Sequence, residues 1–484
     1  MNTSYQNSQP GNPLNSAKNG VMPDSLKYVH KESAVPAYSE TQIFIPDNGS
    51  SFSPSLSPTI NIPLRTPPNS FIDMSQSYLM VSISNNSTVA GVFDAANLNR
   101  NLYFDNGNVS SIIKSLKILS GGTTISEISN KYHTLASLLL ANNTSDDYQR
   151  CQSILGGTSE YDLLTAAGTA TAGVATDLCS SNNFIGSGGS NAPTGSTDTS
   201  RTFIIPLISG FLNGSKLLPS HFTQNAFITL QLSLADGKEA FITRNQTGKT
   251  NANTVLDYSV TGVKFYAKTV YLNDSSVMDR LVGTMLSEGK LSMCVPEWSC
   301  VSIPFTIGPS VSINIPARYQ VLKNIICCIV PQSTDIFDCG TQSSKYGLTS
   351  YQFVIGGRTL QKIDTKAFAP QGYAEYLKCF NTLNNINISS NASASIWAQN
   401  NHNANISATN FPKRSSFAIA QNVENFPHSD ALESGLNLQS LALNLTLNLE
   451  FDGVFNTQNF TMCCFFNFDT IYELYGDSTW IVKA

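Results

Sequence analysis

RTFIIPLISGFLNGSKLLPSHFTQNAFITLQLSLAD, residues 201–236, is the stretch on which the reading of the whole chain turns. Phe203 to Ile208 is apolar enough for a buried strand, Gly210 to Gly214 breaks it, and Leu217-Leu218-Pro219 makes a corner. From Ala226 to Leu234 the residues alternate, with Ile228, Leu230, Leu232 and Leu234 on one apolar pleated face and Phe227, Thr229, Gln231 and Ser233 on the other, mostly wet one. That period of two describes a half-buried sheet. The two strands, with their proline-pinned connection, are expected to form one wall of a β-sandwich.

Several flanking segments share the character. Thr41–Pro46 and Thr59–Leu64 are short strands, and Pro63, Pro67 and Pro68 confine them to edges or ends. Phe71–Ser75 with Tyr78–Ile83 gives another strand. Ile112–Leu119 runs into Ser120-Gly121-Gly122, a hairpin signal. Ile125, Ile128, Tyr132, Leu135 and Leu138 recur at helical intervals, which predicts a short helix over 129–141. Tyr258–Leu272 reads as a closing strand, and Val277, Leu281, Val282 and Met285 predict a helix over 275–287 with Asp274 as its N-cap.

The second half repeats the plan. Trp298–Phe305, Val311–Ile315, Ile325–Val330 and Gly347–Gly357 are strand candidates, Tyr373–Leu383 is helical, Phe417–Glu424 is another strand candidate, and Phe460–Tyr475 closes the chain. Ser440–Phe451 has the cleanest alternation, with Leu441, Leu443, Leu445, Leu447 and Leu449 on one face. No helical run is long enough to carry parallel strands by crossover, so the sheets should be antiparallel. The fold class is therefore all-β: two tandem antiparallel sandwiches with a few short helices and long surface loops.

Composition narrows the function. Charged residues are only 13% of the 484, and 28 Lys plus Arg against 33 Asp plus Glu leave a net charge of −5. An acidic chain has no general electrostatic means of neutralising phosphates, so sequence-specific nucleic-acid binding is not expected. Ten cysteines are too sparse for a disulfide scaffold, and Cys327-Cys328 and Cys463-Cys464 sit in apolar runs as reduced, small hydrophobes. The first residues show no signal peptide and no apolar run reaches the ~18 residues of a membrane span, which points to synthesis in a reducing cytoplasm.

The sequence holds no recognisable reactive constellation. Gly248-Lys249-Thr250 resembles the end of a phosphate loop, but Thr243 stands where the first glycine belongs and no helix follows. His30, His133, His221, His402 and His428 are scattered without ligand spacing, and carboxylates such as Asp146, Asp147, Glu424, Asp430 and Glu433 lie in polar loops. No catalytic, cofactor-binding or metal-ligating residue is assigned, and no cofactor is expected. Trp298 and Trp480 read as core, whereas Trp397, in a polar loop, is the aromatic whose exposure would mark an interface anchor.

The order of parts in 201–236, together with Ser111–Leu119, the Ser-Gly-Gly turn and Ile125–Leu140, resembles the major capsid proteins of the double jelly-roll lineage of eukaryotic double-stranded DNA viruses. That lineage takes in polinton-like viruses, virophages and nucleocytoplasmic large DNA viruses. The segments Gly347–Gly357 and Phe468–Tyr472 are similar to its second jelly roll.

The resemblance implies an N-terminal arm at 1–36, a first jelly roll at 37–274 with a long loop at 142–200, a linker helix at 275–289 and a second jelly roll at 290–484. It implies a virion protein forming homotrimeric, pseudo-hexameric capsomers that meet neighbouring capsomers, penton and minor capsid proteins. The loops at 142–200 and 384–410 would face outward. A carbohydrate- or receptor-binding spike or adhesin is the alternative, and a glycoside-active enzyme would need a close carboxylate pair that is not found.

Overall fold

The structure is a computed structural model that describes residues 37–67, 69–89, 102–104, 109–143, 184–185, 200–214, 216–242, 254–272, 275–332, 343–366, 370–383, 392–398, 417–425, 435–439, 444–453 and 459–483. The arm at 1–36, nearly all of the 142–200 loop, Gly248-Lys249-Thr250, Asp274, most of 384–410 and Ser440 to Leu443 lie outside them.

Eight strands form the two main sheets of the first half, with shorter strands such as Ser51–Phe52 and Leu218–Pro219 beside them: β1 (Ala37–Phe44), β2 (Thr59–Pro63), β3 (Ser70–Asn85), β4 (Ile113–Ser120), β5 (Thr123–Ile128), β6 (Ser200–Ile205), β7 (Ile228–Leu234) and β8 (Tyr258–Leu272). They pair as two sheets, β1-β8-β3-β6 and β2-β7-β4-β5, antiparallel throughout.

Eight more form the two main sheets of the second: β9 (Lys290–Thr306), β10 (Ser310–Ile315), β11 (Leu322–Pro331), β12 (Leu348–Ile355), β13 (Arg358–Thr359), β14 (Ile419–Asn422), β15 (Leu445–Phe451) and β16 (Asn459–Tyr475), with the short strand Ile363–Asp364 also pairing with β12. Their sheets are β9-β16-β11-β14 and β10-β15-β12-β13. Adding eight to each strand of the first half gives the second, so one jelly-roll wiring is used twice. A last strand, β17 (Trp480–Lys483), pairs with the end of β16.

This wiring corrects the expectation for 201–236. Phe203 belongs to β6 and pairs with Val81, whereas Leu230 belongs to β7 and pairs with Ile62 and Ile118. The two strands lie in opposite sheets, and the intervening corner carries the chain from one wall to the other. Alternation reports which face of a strand is buried but not which sheet it joins, and that choice depends on partners far along the chain.

Within each strand the pattern is that of a two-layer sandwich. On β7, Ile228, Leu230, Leu232 and Leu234 are buried with half-exposed residues between them, and on β15 Leu445, Leu447 and Leu449 are fully buried. Burying one such side chain contributes about 1.5–3 kcal/mol, so these rows hold the walls together.

In β8 the inward phase is Tyr258 and Val260 and then Val263, Phe265 and Ala267. The slip occurs where the register to β3 jumps between Thr261 and Lys264, at Gly262 with φ +60°. A bulge with glycine in the left-handed region inserts one residue and reverses the parity, which lets one 15-residue strand keep its apolar side inward at both ends.

Six helices lie among the described residues labelled here: α1 (Tyr132–Asn143), α2 (Gly210–Asn213), α3 (Gly237–Ala240), α4 (Ser275–Glu288), α5 (Pro370–Cys379) and α6 (Ala394–Trp397). The first starts later than the apolar spacing suggested. Ile125 and Ile128 sit on β5, and Asn130 and Lys131, with φ of 56° and 57°, separate that strand from the helix. Two consecutive left-handed residues cannot continue a right-handed helix, so the periodic reading joined two elements. None of these helices is long and apolar enough to cross a membrane.

Trp298 and Trp480 are half-buried rather than core, each on a strand at the sheet margin. Trp397 departs further from expectation. It is 1% exposed, its indole N–H donates to the Ala418 carbonyl at 3.2 Å, and Tyr373, Tyr376 and Phe417 surround it. The polar residues around it in sequence conceal a side chain that plugs the second barrel.

Candidate functional site

Among the described residues, the most extensively hydrogen-bonded buried feature lies at the joint between the two barrels. Its centre is Glu297 on β9, 3% exposed. Oε1 accepts the backbone N–H of Gly210 at 2.9 Å and of Trp298 at 3.1 Å, and Oε2 accepts the N–H of Phe211 at 3.1 Å and the hydroxyl of Tyr472 at 2.8 Å. A carboxylate of the second barrel thus closes the first turn of α2 in the first, where unpaired N–H groups would otherwise be stranded. Burial beside Glu297 pushes the Tyr472 phenol well above its usual range, which keeps it a donor.

The approach is close because position 210 has no side chain. A Cβ there would stand 1.9 Å from the Pro296 carbonyl oxygen. Phe211 then packs edge-on against Tyr472 and Trp480, with ring centroids 5.2 and 5.6 Å away. Farther along the joint, Ser129 Oγ donates to the Cys300 carbonyl at 3.3 Å, and the Asn142 amide on α1 donates to the Tyr376 hydroxyl on α5 at 2.7 Å. Met285 of α4 lies in a small apolar cluster with Phe222 of the first half and Leu474 of the second.

A charged cluster stands beside this joint. Glu239 on α3 takes Lys131 at 3.1 Å on Oε1 and Lys114 at 3.0 Å on Oε2. Burial works against ionising Glu239, but the two ammonium groups and His133 outweigh it and hold the carboxyl at about 2. His133 on α1 is 1% exposed, with Nδ1 3.2 Å from the Thr134 hydroxyl, and burial followed by the Lys131 charge pushes its pKa down to about 3.

Among the described residues, the histidines and most of the cysteines lie in or against secondary structure. His221 lies on a 3-10 turn at 220–223, and His30, His402 and His428 are outside the described residues. Cys300, Cys327, Cys328, Cys463 and Cys464 are all buried on neighbouring strands, with Cys327 Sγ 3.4 Å from Cys464 Sγ across the β11–β16 ladder. Among the described residues, no group of three His, Cys, Asp or Glu could hold a metal. Sequence reading missed Glu297, because a glutamate after a proline carries no sign that its partners are 86 and 87 residues away.

No protein-family model matches the chain, and a search of curated proteins finds no match. Solved structures do match. The Faustovirus major capsid protein superposes with a TM-score of 0.57 at 9% identity, over 96% of this chain and 94% of its own. PBCV-1 VP54, as fitted into a reconstruction of the virophage Sputnik, gives 0.56 at 9% over 95% and 99%. The Sputnik virophage structure itself gives 0.52 at 11% over 96% and 92%. At such identities the likeness is one of architecture, and by that architecture this chain is a double jelly roll, the fold of those capsid proteins.

Proposed function

We propose that this protein is a major capsid protein, a structural, non-enzymatic subunit whose work is shape and self-association. The observation that carries the reading is the repeated wiring: β1 to β8 recur strand for strand as β9 to β16. A chain that presents two like barrels side by side has approximate two-fold internal repetition, and three copies about a three-fold axis would then set six similar barrels in a ring. Such a pseudo-hexagonal tile packs into an icosahedral facet. The likeness in fold to capsid proteins over nearly the whole chain supports the same reading.

On this proposal residues 37–274 and 290–484 are the two building units, 275–289 links them, and 1–36 reaches neighbouring capsomers or minor and penton proteins. The protein resides in the shell of a double-stranded DNA virus after synthesis in the host cytoplasm, and needs no cofactor and no sequence-specific contact with nucleic acid. The adhesin reading has less support, since Trp397, the aromatic singled out as a surface anchor, is inside the second barrel. Electron microscopy of the purified protein tests the proposal. Three-fold particles with a hexagonal outline are expected, and a stable monomer in chromatography refutes it, because permanent complexes of this kind bury ~2,000 Å² or more.

A further inference from the structure

Five of the seven cysteines among the described residues stand on three adjacent strands of the second barrel: Cys300 on β9, Cys463 and Cys464 on β16, and Cys327 and Cys328 on β11. The ladder between β11 and β16 sets Cys327 directly opposite Cys464 and Cys328 directly opposite Cys463. Opposed residues of an antiparallel ladder have Cα atoms about 4.5 or 5.5 Å apart, inside the range of about 4.4–6.8 Å that a disulfide spans.

The pleat excludes the crossed pairings. Neighbours in a strand point to opposite faces, which leaves Cys327 with Cys464 on one face and Cys328 with Cys463 on the other. Cys300 stands opposite Phe465, so it meets Cys463 only on the diagonal, at about 7–8 Å and out of reach. Between the two direct pairs the sulfurs decide. Cys327 Sγ donates to Cys464 Sγ at 3.4 Å, whereas the hydroxyls of Ser343 and Ser302 are the thiol neighbours of Cys328 and Cys463.

We propose that Cys327 and Cys464 are the site of a cross-strand disulfide, formed when the folded protein meets a peroxide, and that this bond braces the second barrel. Closing it brings the sulfurs from 3.4 Å to about 2.05 Å, a change that side-chain rotation supplies with the strands already in register. Both residues are at 0% exposure on inner strands of their sheet, so the oxidant must be small and neutral. Hydrogen peroxide takes one sulfur to a sulfenic acid and leaves as water; the other sulfur attacks it, the S–O bond breaks, the S–S bond forms and a second water departs. Two thiols and one peroxide thus give one disulfide and two waters. The hydrogen bond from Cys327, and burial after it, push the Cys464 thiol upward, which keeps the pair reduced and slow to react until such an oxidant is present.

The bond would join residues 137 apart, a constraint felt far more by the unfolded chain than by the folded one. It would also fix β11 to the strand that carries Tyr472, a partner of the Glu297 carboxylate. The link lies within one chain and forms whether or not copies assemble.

The test exposes the full, freshly reduced chain to hydrogen peroxide at neutral pH, then alkylates it in denaturant and digests it for mass spectrometry without reductant. The exposed Cys294 should oxidise first, which shows that the peroxide has acted. Expected next is a pair of peptides from β11 and β16 joined with the loss of two hydrogens. The double variant Cys328→Ala with Cys463→Ala should form the link, and Cys327→Ala and Cys464→Ala should not. Fragment ions of the wild-type peptides place the bond independently of any variant. The urea midpoint of the linked protein should rise by about 1 M or more and return on reduction. Oxidised Cys294 beside β11 and β16 cysteines that all remain open to alkylation overturns the proposal. So does a bond placed between Cys328 and Cys463, or a linked protein whose midpoint does not rise.

Discussion

The carboxylate of Glu297 and the main-chain N–H of Gly210 meet at 2.9 Å across the boundary between two barrels. Their separation in sequence is 87 residues, yet the contact is buried and part of a four-donor set. Glu297→Ala would leave the Gly210 and Phe211 N–H groups and the Tyr472 hydroxyl without an acceptor, a loss of about 3–5 kcal/mol for a buried charged partner. Calorimetry should show a lower unfolding temperature, and a split into two transitions would show that the barrels had come apart before melting.

Gly210→Ala attacks the same joint from the other side. The added methyl must clear the Pro296 oxygen, which stands at 1.9 Å from its ideal position, so either β9 or α2 moves back. The loss should match or exceed that of Glu297→Ala, and the double variant should cost less than the sum, because the two residues share one contact. Additive losses in a denaturant titration would argue against the clamp.

Acid should weaken the first barrel. His133, at about 3 when folded and 6.5 when unfolded, is held neutral by burial, so the unfolded chain binds the extra proton between those values. Stability is whole above about pH 6.5 and falls as pH drops toward 3, by up to about 1.4 kcal/mol per pH unit. Glu239, held at about 2 against an ordinary 4.5, loses its contribution over a lower window, as pH falls from 4.5 through 2. Urea midpoints at pH 7 and pH 4.5 should therefore differ for the wild type, and the difference should shrink in His133→Leu.

The thiols should divide sharply. Burial pushes those of Cys300, Cys328, Cys379 and Cys463 upward, and at Cys464 the hydrogen bond with the Cys327 sulfur raises it ahead of burial; burial also raises Cys294, but that thiol is exposed. Thiolate is the reacting form. Brief alkylation of the native protein followed by peptide mass spectrometry should mark Cys294 and leave Cys300, Cys327, Cys328, Cys379, Cys463 and Cys464 unmarked until denaturant is added.

Trp397→Ala should open a cavity among Tyr373, Tyr376 and Phe417 and cost about 3–5 kcal/mol, with loss of blue-shifted fluorescence. A loss under about 1 kcal/mol would show that the side chain is not the plug of the second barrel.

How far the sequence could be read depended on whether the governing interactions were local. Leucine alternation gave β15 and isoleucine–leucine alternation gave β7, because burial of one pleated face imposes a period of two on any half-buried strand. The Gly121-Gly122 and Gly356-Gly357 turns were legible for the same reason, all four glycines having positive φ. Sheet membership of β6 and β7 was not legible, nor was burial of Trp397, nor the role of Glu297. Each is decided by residues tens to hundreds of positions away, and hydropathy along the chain carries no record of them.

The Glu297 clamp grips main chain, not side chain, on its first-barrel end. Any residue other than proline at position 211 still offers the same N–H, so the opposite half of the fastening can drift in sequence while the fastening survives, provided position 210 stays bare. A lineage built on such a rivet could scramble its barrels until almost no identity remained and still keep them in the same pose.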